Sequence, residues 1–482
     1  MTSTPAAVRT SSAVPPPPAG LPSTLAALRA SGHVHRTVKD ELRHNLLVAM
    51  AAGGPAGDRF PGIVGFDDTV LPELERALLA GHDVVLLGER GQGKSRLIRS
   101  LVGLLDEWTP VIEGSELGEH PYDPITPGAR RRLAELGDAL PVGWRHRSER
   151  YSEKLATPDT SVGDLIGDVD PVRVAQGRTL GDPETIHYGL VPRTHRGIFA
   201  VNELPDLAER IQVGLLNVLE ERDIQIRGYQ LRLPLDLLLV ASANPEDYTN
   251  RGRIISPLKD RFGAEIRTHY PLDLDLEVAL VRQEALLAAT VPDHVVEVVA
   301  RFTRNVRESP AVDPRSGVSA RFAVAAAETV AASALRRGAL RGEDQPVARV
   351  GDADPVVGTL RGKVEFESGH EGREVEVLAH LLRTSVAETF RARLSGLDLG
   401  GFVALVAEGG SIETGELVTS QEVLQQVGTV PGLAKVLERL GLGDAPSPGE
   451  AAAGVELVLE GLHLTRRLAK DTAADGRTVY GG

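Results

Sequence analysis

The chain of 482 residues is longer than one hydrophobic core usually supports, so the sequence predicts about two to four domains. It contains no cysteine, which excludes disulfide bonds, iron–sulfur clusters and cysteine-ligated zinc sites. The formal net charge of −14 argues against a general nucleic-acid-binding surface. No apolar run reaches the roughly 20 residues of a membrane span. Together with the absence of cysteine, this leads us to expect a cytoplasmic protein.

The N-terminal part of the sequence predicts a tail and a helical segment. Residues 1–22 are rich in proline, alanine, serine and threonine, which predicts a disordered tail. Residues 23–60 predict a short helical region. In that region His33 and His35 are close in sequence, and we interpret them as a surface pair because no further ligand lies nearby along the chain.

The next segment carries a phosphate-binding loop between a strand and a helix. Residues 84–87 form an apolar run typical of a buried strand, and the chain then reads Gly-Glu-Arg-Gly-Gln-Gly-Lys-Ser before a helical pattern begins. Three glycines allow backbone N–H groups to turn towards a phosphate chain. These glycines are Gly88, Gly91 and Gly93. Lys94 can reach the terminal phosphates, and the Ser95 hydroxyl can bind Mg²⁺.

The following residues predict a parallel sheet. Residues 109–112 predict a weak strand, and residues 113–160 are polar and proline-rich, which predicts an insertion with a short helix at residues 130–136. Residues 197–201 and 237–241 are near-continuous apolar runs. Such runs, joined by helices, indicate an α/β fold whose parallel sheet is covered on both faces.

Polar residues follow both apolar runs. Asn202 and Glu203 come directly after the first, where P-loop motors normally have Asp-Glu. The glutamate of that pair polarises the attacking water, and the aspartate orients a water bound to Mg²⁺. Asn202 can still accept a hydrogen bond there, but it brings no negative charge. Asn244 follows the second run, where a polar side chain can contact the γ-phosphate or the attacking water.

Two arginines and a hairpin complete the set of motifs. Arg261 ends a predicted helix, where it can act as an arginine finger on the ATP of a neighbouring subunit. Arg321, in Val-Ser-Ala-Arg, can contact the phosphates from a helical lid. Apolar and polar residues alternate on both sides of a glycine over residues 223–233, which predicts a β-hairpin.

The order of these motifs resembles that of an AAA+ ATPase, and more closely that of the magnesium chelatase I-subunit branch and its MoxR-type relatives. The resemblance covers roughly residues 60–335. It implies a P-loop AAA+ core followed by a helical lid, with ATP and Mg²⁺ as ligands and ATP hydrolysis as the activity. It also implies a homo-oligomeric ring, a hexamer, that remodels a client, and a partner with a von Willebrand factor A domain. The same resemblance leaves open whether metal chelation is part of the function.

The resemblance also implies a role for each candidate residue. Lys94 and Ser95 hold phosphate and Mg²⁺, Asn202 lies beside the metal, and Glu203 activates water. The remaining implied roles are those of the sensor-1 residue for Asn244, the arginine finger for Arg261 and the sensor-2 arginine for Arg321.

The sequence predicts five divisions of the chain. They are a tail at 1–22, a helical segment at 23–60, a nucleotide-binding α/β domain with insertion loops and a hairpin at 61–270, a helical lid at 271–345 and a mostly helical region at 346–482. In the last division helices are predicted at 375–394, after Thr419 and at 455–470, and residues 364–366 look like a short strand. Nothing after residue 345 carries recognisable chemistry.

Two other functions stay open at this point. A scaffold that is gated by nucleotide and hydrolyses little is favoured by Asn202. A DNA-associated motor is favoured by the hairpin residues Arg222, Arg227, Arg232 and Tyr229, whereas the net acidity and the 4% content of aromatic residues count against it. We therefore do not expect nucleic acid as a partner.

Overall fold

The computed structural model describes residues 14–170, 185–221, 224–226, 229–231, 233–244, 253–313, 317–370, 372–407, 410–443, 445–472 and 477–481. Most of the predicted tail, and the three arginines of the predicted hairpin, lie outside these residues. The chain divides into two compact units. Unit 1 comprises Met1–Glu89 and Gly93–Thr268, and unit 2 comprises Arg90–Gln92 and His269–Gly482. The finer division into five segments stays a prediction.

Unit 1 mixes helices and strands. Its described helices are α1 (Leu25–Ala30), α2 (Val38–Ala51), α3 (Ala56–Arg59), α4 (Val70–Ala80), α5 (Lys94–Ser100), α6 (Pro127–Leu136), α7 (Val162–Leu165), α8 (Leu190–Arg193), α9 (Glu209–Glu221) and α10 (Ser256–Arg261). Its described strands are β1 (Val84–Leu87), β2 (Trp108–Ile112), β3 (Val142–His146), β4 (Tyr151–Leu155), β5 (Gly167–Val169), β6 (Ile186–Tyr188), β7 (Gly197–Asn202), β8 (Ile224–Ile226), β9 (Tyr229–Leu231), β10 (Leu237–Ala243) and β11 (Ala264–Arg267).

The central sheet of unit 1 is parallel, as predicted. Five strands pair in the order β11-β1-β10-β7-β4, so the strand before the glycine loop lies beside β10, and β10 lies beside β7. Alternate residues of β1 enter different cores: Val84 packs with Leu74 of α4, and Val85 packs with Leu215 of α9. Both faces of the sheet are therefore covered, which explains the near-continuous apolar runs.

The predicted insertion at 113–160 contains more structure than its sequence indicates. The predicted helix is present as α6, but β3 and β4 also lie here, and β4 is the edge strand beside β7. Its first four residues are half-buried and its last is exposed, so no continuous apolar run marks it. The predicted strand at 109–112 is present as β2, yet it pairs antiparallel with β3 outside the central sheet.

The predicted hairpin is confirmed in its backbone. β8 and β9 pair antiparallel, with Ile224 opposite Leu231 and Ile226 opposite Tyr229. The residues between these strands, and the side chains that favoured a DNA motor, lie outside the described part of the chain.

Unit 2 is mainly helical. Its described helices are α11 (Leu274–Glu284), α12 (Asp293–Glu308), α13 (Ala320–Arg341), α14 (Asp354–Leu360), α15 (Glu374–Leu394), α16 (Gly400–Ala407), α17 (Ser420–Val427), α18 (Leu433–Arg439) and α19 (Pro448–Leu464). Its described strands are β12 (Ile412–Gly415), β13 (Ala469–Thr472) and β14 (Arg477–Gly481), which form an antiparallel sheet in the order β12-β14-β13.

Capping residues set the helix boundaries in the C-terminal region. The predicted helix after Thr419 is confirmed, with the Thr419 and Glu422 side chains forming a capping box. A second capping box, of Ser447 and Glu450, starts α19 earlier than the predicted residue 455, and the helix ends at Leu464 because the chain continues into strands. The strand-like piece at 364–366 is only an isolated bridge between Phe366 and Val312.

Both units have an extensive apolar core. In unit 2 the face of α12 that carries Val295, Val299, Phe302 and Val306 is buried, and it packs with α13 and α15. Within the described ranges, no helix combines the length and the apolar composition that crossing a bilayer requires.

Candidate functional site

The glycine loop leaves the sheet at the carboxyl end of β1. The N–H of Gly88 still donates to the carbonyl of Ala243 in β10, at 3.2 Å, so the loop starts in register with its neighbour. Gly91 and Gly93 have φ angles of +76° and +77°, and α5 begins at Lys94 directly afterwards. Residues with a side chain rarely adopt such φ angles, so the glycines of the motif allow this turn.

Lys94 lies at the base of this loop, buried in unit 1. Its ammonium group donates to the carbonyls of Gly88 and Glu89, the latter at 2.9 Å, and to Oδ1 of Asn244 at 2.7 Å. These three acceptors are neutral oxygens. The contact with Asn244 joins the glycine loop to the end of β10, two motifs that lie 150 residues apart in the sequence.

Asn244 also contacts Glu203. Its Nδ2 donates to Glu203 Oε2 at 2.8 Å, so Lys94, Asn244 and Glu203 form one continuous hydrogen-bonded chain. Glu203 has a φ angle of +56°, which is uncommon for a residue other than glycine, and its backbone N–H donates to Ser242 Oγ at 3.3 Å. Left-handed backbone of this kind is concentrated at functional positions. It gives the side chain a direction that the alternating pattern of a regular strand does not provide.

Ser95 and Asn202 form a second contact at the same edge of the sheet. The Ser95 hydroxyl donates to Asn202 Oδ1 at 3.3 Å, and the Ser242 hydroxyl donates to the same oxygen at 3.1 Å. Nδ2 of Asn202 donates to a carboxylate oxygen of Glu153. Two predicted Mg²⁺-site residues therefore lie side by side, with a carboxylate behind the amide that replaces the expected aspartate.

Glu153 is a member of this cluster that no sequence motif marks. It lies on β4, and Arg99 of α5 holds it with two hydrogen bonds of 2.8 and 2.9 Å, while the Tyr151 hydroxyl donates to it at 3.0 Å. Burial alone would raise the pKa of Glu153, but the hydrogen bonds from Arg99, Tyr151 and Asn202 outweigh that effect and lower it. Glu153 is therefore a carboxylate at neutral pH, and it fixes the orientation of the Asn202 amide.

The two predicted arginines are both exposed. Arg261 is exposed at the end of α10, and its Nη2 forms an ion pair of 2.6 Å with Oε1 of Glu220 on α9. Arg321 is exposed in the first turn of α13, in unit 2. The structure therefore brings together the loop, Asn202, Glu203 and Asn244, whereas the roles of Arg261 and Arg321 stay predictions.

The interpretation of His33 and His35 as a surface pair is wrong. Both are half-buried against the fully buried His120, with 3.1 Å between the Nε2 atoms of His33 and His120 and 4.3 Å between the rings of His35 and His120. Burial, followed by the charge of Arg196, lowers the pKa of all three. Even so, no three histidine or acidic residues of the described ranges form a group that could hold a metal ion.

Comparisons with known proteins bear on these motifs. No family model matches the chain. The magnesium-chelatase subunit ChlI of Oryza sativa subsp. japonica is 29% identical over 252 residues, which cover 49% of this chain and 56% of that subunit. The ChlI subunit of Guillardia theta is 30% identical over 208 residues, which cover 42% of this chain and 54% of the relative. The chain thus spans about half the length of the curated relatives that it matches.

A solved structure gives a weaker comparison. The complex between subunits BchI and BchD of magnesium chelatase, based on a cryo-EM reconstruction, has a chain with 22% identity, and the match covers 65% of this chain and 96% of that one. Its TM-score of 0.34 does not by itself establish a shared fold. The two sequence matches, in contrast, confirm the resemblance to magnesium chelatase I subunits that the motifs predict.

Proposed function

Because the chain is a relative of the AAA+ I subunits of magnesium chelatase, we propose that unit 1 binds ATP with Mg²⁺ and hydrolyses it. The observation that carries this proposal is the hydrogen-bonded chain of Lys94, Asn244 and Glu203. It unites a phosphate-binding lysine, a polar strand-end residue and a candidate general base, which the sequence holds on three separate segments.

The residues present fit a magnesium nucleotide. The glycine loop can offer backbone N–H groups, and Lys94 offers an ammonium group to the phosphates. Ser95 Oγ and Asn202 Oδ1, 3.3 Å apart, are the oxygen ligands that Mg²⁺ prefers, used directly or through bound water. When bound, Mg²⁺ would neutralise charge that develops on the β- and γ-phosphates.

The protein side of the reaction follows from the same contacts. Glu203 orients a water molecule and accepts its proton as the water oxygen bonds to the γ-phosphorus. The bond between that phosphorus and the bridging oxygen breaks, which gives ADP and inorganic phosphate. Asn244 holds Glu203 and Lys94 in position, and Asn202 turns its oxygen towards Ser95 because Glu153 holds its amide nitrogen.

Assembly is the second part of the proposal. The protein forms a ring, a hexamer, in which Arg261 of one protomer contacts the nucleotide bound by the next, and Arg321 contacts the phosphates from the lid. The ion pair between Arg261 and Glu220 is no obstacle, because an exposed pair of this kind contributes at most about 1 kcal/mol. The ring works in the cytoplasm on a client, together with a partner that has a von Willebrand factor A domain.

The proposal is tested with Arg261→Ala. We expect turnover to fall by at least about a hundredfold while ATP affinity stays within a few-fold of wild type, because the finger acts on the transition state. Arg267→Ala is the matched control, since Arg267 is an exposed arginine on the neighbouring strand β11. Normal turnover of Arg261→Ala would contradict the role of Arg261.

A mixing experiment separates action in cis from action in trans. Lys94→Ala protomers cannot bind nucleotide well but still carry Arg261, and Arg261→Ala protomers bind nucleotide but lack the finger. Mixed rings should therefore regain part of the turnover that neither variant shows alone. No recovery, although the two variants assemble together, would contradict a contribution from the neighbouring subunit.

A second function is supported by one observation, the amide at position 202. Because Asn202 brings no charge, the protein could act as a scaffold that binds ATP and hydrolyses it slowly. A wild-type ring that binds ATP tightly but releases no more phosphate than Glu203→Gln would favour this function.

A further inference from the structure

Unit 2 contains a cavity of about 200 Å³ that no sequence motif indicates. Charged and polar side chains from distant segments line it, principally Arg349, Asp354, Glu456, Glu460, Lys470 and Tyr480. For comparison, an apolar cavity of about 150 Å³ is large enough to bind benzene. The cavity can therefore hold a small organic molecule, and its polar lining excludes a purely apolar one.

Two buried charged groups in this cavity each have atoms without a hydrogen-bond partner among the described residues. Arg349 is 1% exposed and Glu456 is 4% exposed at their side chains. Arg349 uses Nη2 to donate to the carbonyls of Gly415 and Val418, at 3.0 and 2.8 Å. Its Nε and Nη1 find no acceptor among the described residues, and Oε2 of Glu456 finds no donor there. Leaving such groups unpaired in a folded interior is costly, which indicates that a ligand or water completes them.

Arg349 and Glu456 lie next to each other in the cavity wall. Nε of Arg349 and Oε2 of Glu456 are 3.5 Å apart, so they attract each other without forming a hydrogen bond. Oε1 of Glu456 accepts the N–H of Gly351 at 2.6 Å, which fixes the carboxylate. The arginine therefore presents donors and the glutamate an acceptor, side by side and both held in place.

The other charges of the lining make the cavity acidic. Glu460 is held by two donors at one oxygen, because Lys470 donates to its Oε2 at 2.8 Å and the Tyr480 hydroxyl donates to the same oxygen at 2.5 Å. Burial, and then the carboxylates of Glu460 and Glu456, raise the pKa of Asp354 to about 6 despite the opposing effects of Lys470 and Arg383. A positively charged group placed beside Glu456 and Asp354 would relieve this repulsion.

These contacts exclude several classes of ligand. A simple anion could pair with Arg349, but it would face the carboxylates of Glu456 and Asp354. A simple cation could pair with the carboxylates, but it would leave the arginine donors unpaired. A lone metal ion is not supported either, because the described residues include no group of three ligands arranged to hold one.

We propose that the cavity binds a small zwitterion of the α-amino-acid class, with its carboxylate on Arg349 and its ammonium group on Glu456 and Asp354. The ligand side chain then lies against the apolar part of the wall, which includes Val350, Leu382 and Val386. Such a ligand satisfies Nη1 of Arg349 and Oε2 of Glu456 in one binding event. The site is separate from the proposed ATPase function, because all of its lining residues belong to unit 2.

The test uses the full chain without nucleotide, so that its result does not depend on the proposed ATPase activity. Each of the standard L-amino acids is titrated by calorimetry and by thermal-shift measurement, with acetate and methylamine as the corresponding half-ligands. We expect at least one amino acid to bind and to raise the melting temperature, and both half-ligands to bind at least about tenfold more weakly. The proposal is overturned if no amino acid binds, or if acetate or methylamine binds equally well.

Two variants locate the binding. Glu456→Gln keeps an oxygen for the N–H of Gly351 but removes the charge, and it should weaken binding by at least about tenfold. If that variant unfolds, Thr478→Trp tests whether the ligand binds in this cavity. It fills the cavity from a half-buried position without removing an ion pair. Arg373→Lys, an exposed position in the same unit, is the control and should bind as wild type does. Unchanged binding in Thr478→Trp would also overturn the proposal.

Discussion

The polar cluster around Lys94 in unit 1 and the polar cluster around Arg349 in unit 2 differ in how their members are paired. In unit 1, Lys94, Asn244 and Glu203 hold one another, and Glu153 and Arg99 hold Asn202 from behind. In unit 2 the donors of Arg349 and the acceptor of Glu456 lie close together without forming a hydrogen bond. The first cluster is preorganised by its own residues, as a catalytic site requires. The second is incomplete without a ligand or water, as a binding site allows.

The largest expected effect comes from changing Glu203, the proposed general base of the first cluster. Glu203→Gln preserves the size of the side chain and an oxygen that can accept from Asn244, but it removes the carboxylate that we propose takes a proton from water. We expect turnover to fall by about a hundredfold or more, with little change in ATP affinity. Steady-state phosphate release and calorimetric titration with ATP measure the two quantities.

The control for this prediction is Glu209→Gln. Glu209 is an exposed glutamate in the first turn of α9, close to Glu203 in sequence, and it takes no part in the cluster contacts described above. Equal turnover in the two variants would show that Glu203 is not the group that activates water.

The next test concerns the support behind Asn202. Asn202→Asp places a second carboxylate against Glu153, and two such groups in contact disfavour each other's charge. We therefore expect the single variant to hydrolyse ATP no faster than wild type. Adding Glu153→Gln restores a donor opposite the new carboxylate, and we expect the double variant to exceed wild type by a few-fold in the presence of Mg²⁺.

The turnover of the double variant also bears on the choice between the two proposed functions, an ATP-hydrolysing protein and a scaffold that hydrolyses ATP slowly. A gain in the double variant would show that the missing charge at position 202 limits hydrolysis. Equal turnover in wild type, the single variant and the double variant would contradict the coupling between Asn202 and Glu153.

The smallest expected effect is a pH dependence to which both units contribute. Burial lowers the pKa of His195 in unit 1 to about 3 and that of His294 in unit 2 to about 4, whereas an unfolded histidine has a pKa of about 6.5. Below pH 6.5 the unfolded chain therefore binds more protons than the folded chain does, so stability is lost as the pH falls towards these values. At pH 5 we expect each histidine to lower the free energy of unfolding by about 2 kcal/mol.

The two units can be followed separately in this experiment. Trp108 and Trp144 are the only tryptophans of the sequence and both belong to unit 1, so their fluorescence reports unit 1, whereas circular dichroism reports both units. His195→Gln should reduce the pH dependence seen by fluorescence, and His294→Leu should reduce only that seen by circular dichroism. An unchanged pH dependence in both variants would contradict the assignment to these histidines.

The sequence was sufficient for the parts of the fold that carry a continuous pattern. Strand β1 before the glycine loop, β7 and β10 are marked by apolar runs, because both faces of the sheet are buried there. Since parallel strands end at one edge, Asn202, Glu203 and Asn244 could be expected near the loop from the sequence alone. The capping box at Thr419 was predictable because it depends on residues close in sequence.

The sequence was insufficient where neighbours in space are distant in the chain. β4 is a half-buried edge strand without an apolar run, so Glu153 could not be placed beside Asn202. His120 meets His33 across 87 residues, and Arg349 meets Glu456 across more than a hundred. No spacing rule predicts such contacts, because they depend on how separate elements pack.

Calorimetric titration of the full chain with ATP and Mg²⁺ tests most directly whether the cluster around Lys94 is a nucleotide site. We predict saturable binding in the wild type and at least about a hundredfold weaker binding in Lys94→Ala, because that change removes a charge-assisted contact to phosphate. Lys363→Ala, at an exposed lysine of unit 2, should bind as the wild type does. Absence of ATP binding in the folded wild-type protein, or equal affinity in Lys94→Ala, would contradict the assignment of this site.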